Sequence, residues 1–118
     1  MRVGDLDTMG HVNHAVIVSY FEDARMAVMD LLVRRPGFGF VLGEVSVRYL
    51  AEIRRGEPVL IGTNVTRIGN KSFTLGQGLF VGDTCAATCL GTEVVVDLET
   101  RRGAPLPDEY RAVLERYR

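Results

Sequence analysis

Ten residues near the start hold an unusual share of reactive side chains: Asp5-Leu6-Asp7-Thr8-Met9-Gly10-His11-Val12-Asn13-His14. Two carboxylates, an amide and two imidazoles stand there, directly ahead of a long apolar segment. Three readings compete. In the first, Asp5 and Asp7 are turn residues, Asn13 caps a helix and the histidines are incidental, since Asp and Asn bond readily to neighbouring backbone. In the second, a carboxylate stands beside the positive end of a helix. Unpaired backbone N–H groups there can hold a developing oxyanion while the carboxylate acts as nucleophile or base. In the third, Asp5, Asp7, His11 and His14 bind a metal. A closed site needs four ligands with supporting partners, and no further ligand-rich segment follows, so no metal is expected.

The element that must position this cluster is the segment after it. Residues 13–33 read as one long helix with Asn13 as its N-cap, Arg34 and Arg35 at its negative end, and Pro36-Gly37 as its stop. Ser19, Glu22, Asp23 and Asp30 share one narrow face; the rest of the girth is apolar except for Arg25. Such a helix should be wrapped by a sheet, and strands follow. Val45, Val47 and Tyr49 alternate with Glu44, Ser46 and Arg48, which predicts one buried face. Residues 59–68, 73–81 and 84–97 read as further strands, with turns at 55–58, 69–70 and 82–83. Phe73, Leu75, Leu79 and Val81 share a side of the third. Connections of two to five residues require antiparallel neighbours, so the strands should form a meander, closed by a short helix from about Asp108. The expectation is an α+β domain: one long central helix against the concave face of a curved antiparallel sheet.

The whole chain of 118 residues suits a single domain, residues 1–118, and is 47% hydrophobic, enough for a core. Fourteen basic against fifteen acidic residues leave a net charge of -1, which argues against a nucleic-acid or membrane-surface partner that relies on a basic face. No apolar run is long enough to span a bilayer, and the charged opening lacks the pattern of an export leader. Cys85 and Cys89, on one face of an extended strand, would stand about 13 Å apart, beyond disulfide reach. They are expected to be buried thiols in a reducing cytoplasm.

The motif at 4–13, followed by Tyr20-Phe21-Glu22-Asp23-Ala24-Arg25, resembles the hot-dog-fold acyl-CoA thioesterases of the 4-hydroxybenzoyl-CoA thioesterase type. The resemblance continues through Val47-Arg48-Tyr49-Leu50, Arg55-Gly56-Glu57, Thr66-Arg67-Ile68-Gly69, Lys71-Ser72-Phe73, the strand end at 94–100 and Leu106-Pro107. It therefore covers nearly the whole chain in order.

It implies hydrolysis of an acyl-CoA thioester to a free acid and CoA, with coenzyme A entering as part of the substrate and no separate cofactor. Asp7, the second carboxylate of the D-x-D pair, would be the nucleophile or general base. The main-chain N–H at about His14 would serve the oxyanion, with Asn13 and His11 shaping the motif loop. Gly10, Arg67, Lys71 and Ser72 would contact the substrate or its CoA moiety, with Arg48, Arg54 and Arg55 as further basic candidates. Glu22 and Arg25, three apart on the helix, are expected to pair with each other or to meet an interface.

The resemblance also implies a homodimer or homotetramer with its sites between subunits. Two positions depart from the pattern, His14 where a second Asn is usual and Ile17 where a Tyr is common, so acyl preference is expected to differ. An Asp–His hydratase pattern is disfavoured, because Asp7 and Asp5 stand four and six positions before His11 and no proline intervenes. A silent acyl-CoA binder and an acyl-carrier-protein thioesterase remain as alternatives. Only Met1-Arg2-Val3 stands where the resemblance calls for a full opening strand, so that strand is expected to be cut to a stub or to begin upstream.

Overall fold

A computed structural model describes residues 14–32, 36–54 and 56–118. The apolar run after the motif forms α1 (His14–Met29), which buries Ile17, Phe21, Arg25 and Met29, a single stripe at four-residue spacing. α1 is shorter than the predicted 13–33. Asp30 still bonds back to the Met26 carbonyl, but Leu31 and Leu32 bond to Val28 and Met29, three residues back. That tighter turn carries Leu32 into the core, where it is buried. Asn13, the expected cap, and Arg34 and Arg35, the expected end charges, lie outside the described residues.

Four strands follow: β1 (Phe38–Tyr49), β2 (Leu60–Ile68), β3 (Ser72–Val81) and β4 (Thr84–Asp97), then a helix, α2 (Asp108–Glu115). All pairings are antiparallel, in the order β1-β4-β3-β2. The expected meander therefore holds for β2–β4 only. β1 pairs with β4, and the segment 50–59 carries the chain from one sheet edge to the other. β1 also starts seven residues before Val45. Its opening was masked in the sequence by Gly39 and Gly43, of which Gly43 sits at a bulge between Leu42 and Glu44. A side chain at Gly43 would begin 2.9 Å from Val94 Cγ2, so glycine lets the bulged strand lie close to β4.

Two apolar clusters fill the space between helix and sheet. Ile17 and Phe21 pack with Ile53, Leu79, Ala86, Ala87 and Cys89 under the N-terminal half of α1. Met29 and Leu32 pack with Val65, Phe73, Leu75, Val95, Ala104, Leu106, Tyr110 and Leu114 under its far end, where α2 joins them. Strand alternation was read correctly for Phe73, Leu75 and Leu79, all fully buried, whereas Val81 is only half-buried. Val45 and Tyr49 overturn the expectation of a buried face on β1, since each is more than 40% exposed. α1 lies over β2 and β3, and among the described residues β1 is an edge strand with most of its length exposed.

The two cysteines do not share a face. A register shift between Leu79 and Phe80 turns Cys85 to lie beside Gly78 and Phe80, while Cys89 is buried under α1. Both are free thiols. The stub at residues 1–3 lies outside the described residues.

Candidate functional site

The helix start is held by a contact between elements. The Tyr49 hydroxyl, at the end of β1, donates to the His14 carbonyl at 3.4 Å. The two rings meet edge to face, with centroids 4.3 Å apart at 78°. The first N–H groups of any α-helix lack intrahelical acceptors, so α1 presents donors and the positive end of its dipole here. Asp5, Asp7, Gly10, His11 and Asn13 lie outside the described residues, as does Arg55. His14 is the only catalytic candidate the structure places.

Arg67 and Ser72 do come together: the Arg67 guanidinium donates to Ser72 Oγ at 3.2 Å across the β2–β3 turn. The neighbouring Lys71 side chain is exposed, and its carbonyl accepts from the Val95 N–H. This turn sits beside the far cluster of Tyr110 and Leu32, whereas the α1 N-terminus sits over Leu79. Leu79 lies seven positions along the strand from Ser72, about 23 Å. One chain therefore does not gather Arg67, Lys71 and Ser72 around its own helix start. Arg54 forms an exposed pair with Glu52 at 3.9 Å.

Between the two apolar clusters runs a polar seam that the sequence signalled only through the lone Arg25. Arg25 is 3% exposed and donates to Gln77 Oε1 at 3.0 Å and Cys89 Sγ at 3.3 Å. Gln77 Nε2 in turn donates to the Phe21 carbonyl at 3.0 Å, tying helix to sheet. A side chain at Gly91 would begin 3.0 Å from Arg25 Cδ and 3.2 Å from Nε, so Gly91 makes room for the arginine. Burial pushes the Cys89 thiol up, against the opposing pull of Arg25, so it stays protonated. The expected Glu22–Arg25 pair is not formed; the arginine turns inward to the sheet instead.

Beyond the seam lies a cavity of about 250 Å³ lined by Met26, Met29, Leu32, Phe38, Phe40 and Tyr110, with the carboxyls of Asp30 and Glu93 in its wall. Glu93 is 7% exposed and accepts no hydrogen bond among the described residues. No fully enclosed side-chain oxygen or nitrogen among them lacks a partner, so the Glu93 carboxyl reaches the open space of the cavity. Desolvation pushes it above the usual range; Arg25 pulls it down and Glu22 adds to the rise. Glu93 was not singled out in the sequence, although a charged residue among Thr92, Val94 and Val95 on a helix-facing strand position was the available signal. Among the described residues no group of three His, Cys, Asp or Glu side chains is placed to hold a metal ion. No helix among them is long and apolar enough to cross a membrane.

A helix laid against a curved antiparallel sheet is the hot-dog fold. The match to solved structures is close: a thioesterase of Thermus thermophilus, solved with coenzyme A and Zn, aligns with a TM-score of 0.86 and 32% identity, covering 99% of this chain and 88% of that one. The probable thioesterase YbaW of Escherichia coli gives 0.87 at 24% identity, covering 99% and 93%. A Staphylococcus aureus protein in complex with CoA gives 0.89 at 18% identity, covering 99% and 78%. The family model of the thioesterase-like superfamily matches residues 1–114, and the chain belongs to that family. No match is found among the curated proteins.

Proposed function

We propose that the protein is an acyl-CoA thioesterase. The observation that carries this reading is the start of α1, tied to β1 by Tyr49 and immediately preceded in the chain by the Asp7–Asn13 motif. Membership of a thioesterase-like family and a relative that holds coenzyme A support it.

Asp7 takes a proton from water as the water oxygen attacks the thioester carbonyl carbon, or attacks that carbon itself to form an anhydride that water then opens. In either route the carbonyl oxygen gains charge, and N–H groups of the first turn of α1, that of His14 among them, hold it. The C–S bond breaks, the CoA thiolate takes up a proton, and the free acid leaves. Asn13 and His11 shape the loop that carries Asp7. Gly10, Arg67, Lys71 and Ser72 bind the CoA portion.

Because the Arg67–Ser72 group lies far from the α1 start of its own chain, those contacts come from a second copy. The uncovered β1 edge is where that copy binds, giving a homodimer or a tetramer built from it. The free Cys85 and Cys89 thiols suit a cytoplasmic setting.

A thiol-release assay over aliphatic and aromatic acyl-CoAs tests the assignment. Asp7→Asn should lose about 10²-fold or more in kcat, and Asp5→Asn far less. Full activity in Asp7→Asn with a dead Asp5→Asn would overturn the role of Asp7. Binding of acyl-CoAs with no turnover would make the protein a silent binder.

A further inference from the structure

The cavity that ends at Glu93 has a feature unrelated to holding the fold together. Its wall is mostly apolar but carries two carboxyls, Asp30 and Glu93, and Glu93, nine-tenths buried, accepts no hydrogen bond among the described residues. The nearby Arg25 donates elsewhere, to Gln77 and Cys89. A largely desolvated carboxyl with no protein donor depends on whatever fills the cavity for its hydrogen bonds, and a ligand carrying a donor can supply one. The space is adequate, since an engineered apolar cavity of about 150 Å³ already admits benzene.

The cavity also has an approach. Residues paired directly across an antiparallel ladder share a sheet face. Tyr49 pairs with Ala87, Val47 with Cys89, Val45 with Gly91 and Leu42 with Glu93, so these four β1 side chains lie on the face that carries α1. Tyr49, Val45 and Leu42 are each more than 40% exposed. Together they form an apolar track from the α1 start, where Tyr49 meets His14, to the cavity wall at Phe40 and Glu93. From His14 to Met26 the helix rises about 18 Å, too far for a short acyl group.

We propose that this track and cavity seat the tail of a long-chain acyl group, and that Glu93 selects tails ending in a hydrogen-bond donor, a hydroxyl or an amine. The inference rests on the thioesterase reading and narrows its substrate. The thioester carbonyl lies at the α1 start, the methylenes run along Tyr49, Val45 and Leu42, and the terminal donor meets Glu93. A second copy on β1 would roof the track.

The experiment compares matched pairs of acyl-CoAs of increasing chain length, with and without a terminal hydroxyl or amine, on wild type, Glu93→Leu and Met26→Trp. Wild type should favour the long hydroxylated or aminated member of its pair by about tenfold or more in kcat/KM, the worth of one hydrogen bond to a charged group. Glu93→Leu should erase that ratio, and Met26→Trp should move the length optimum to shorter chains. A wild type that prefers short chains, shows no terminal-group preference, or keeps it in Glu93→Leu overturns the proposal.

If wild type hydrolyses no acyl-CoA, the thioesterase reading fails by itself. Calorimetric binding of a free long-chain fatty acid and its terminally hydroxylated counterpart then decides the cavity. A preference for the hydroxylated acid that Glu93→Leu abolishes supports the pocket, and equal or absent binding overturns it.

Discussion

Glu93 and Arg25 show how single buried polar groups shape this protein. The Glu93 carboxyl titrates above its ordinary 4.5 in the folded chain because burial outweighs the pull of Arg25, with Glu22 adding to the rise and Asp30 on the same cavity wall. A carboxyl with a raised folded pKa binds protons more readily folded than unfolded, so its ionisation costs stability above that raised value. The cost disappears as pH falls toward 4.5. Glu93→Gln should therefore melt higher than wild type at neutral pH, and the gap should close on acidification toward 4.5 in thermal melts across pH. A gap that grows on acidification would refute this.

Arg25→Met removes the donor to Gln77 Oε1 while keeping the stem. It should cost about 1–3 kcal/mol in urea unfolding, the penalty for a buried acceptor left unmade. In the sequence Arg25 stood out only as an exception on an apolar helix, because its partners are 52 and 64 positions away.

At the scale of elements, most of the architecture could be read from local pattern. β4 falls on the predicted residues, β2 and β3 begin within one residue of prediction, and α2 starts at Asp108 as expected. These elements are bounded by Gly, Asn, Asp and Pro, whose backbone preferences act locally. The start of β1 and the end of α1 could not be read the same way, because both depend on distant partners: Phe38 and Phe40 pair with Asp97 and Val95, and Leu32 is drawn under Tyr110.

Close packing of strands also yields a test. A side chain at Gly76 would begin 2.6 Å from Thr66 Cγ2 and 3.2 Å from Asn64 Oδ1. Gly76→Ala should therefore destabilise by about 1–3 kcal/mol, the usual range for overpacking, measured by denaturant midpoint. An unchanged midpoint would show that Thr66 can step aside.

For the whole molecule, surface is the informative quantity. Val41, Leu42 and Val45 stand exposed on β1, a strand twelve residues long that has no second strand neighbour among the described residues. On the proposed two-subunit reading, Leu42→Lys with Val45→Lys should shift sedimentation from dimer or tetramer to monomer and reduce turnover with it. A fully active monomer would sink the two-subunit site.

Local chemistry alone, read in order along the chain, determined the α+β class, the strands of the β2–β4 meander and the long helix that follows the carboxylate motif. Helix periodicity, strand alternation and turn residues are short-range signals, legible without knowing what packs on what. Only the tertiary structure decided that β1 crosses to pair with β4, that Arg25 turns inward to Gln77, and that Glu93 closes a cavity at the end of an apolar track. It also decided that Arg67 and Ser72 stand at the far end of the sheet from His14. Those facts depend on which distant residues meet when the sheet closes, and on the desolvation that follows, neither of which is written in any local stretch of sequence.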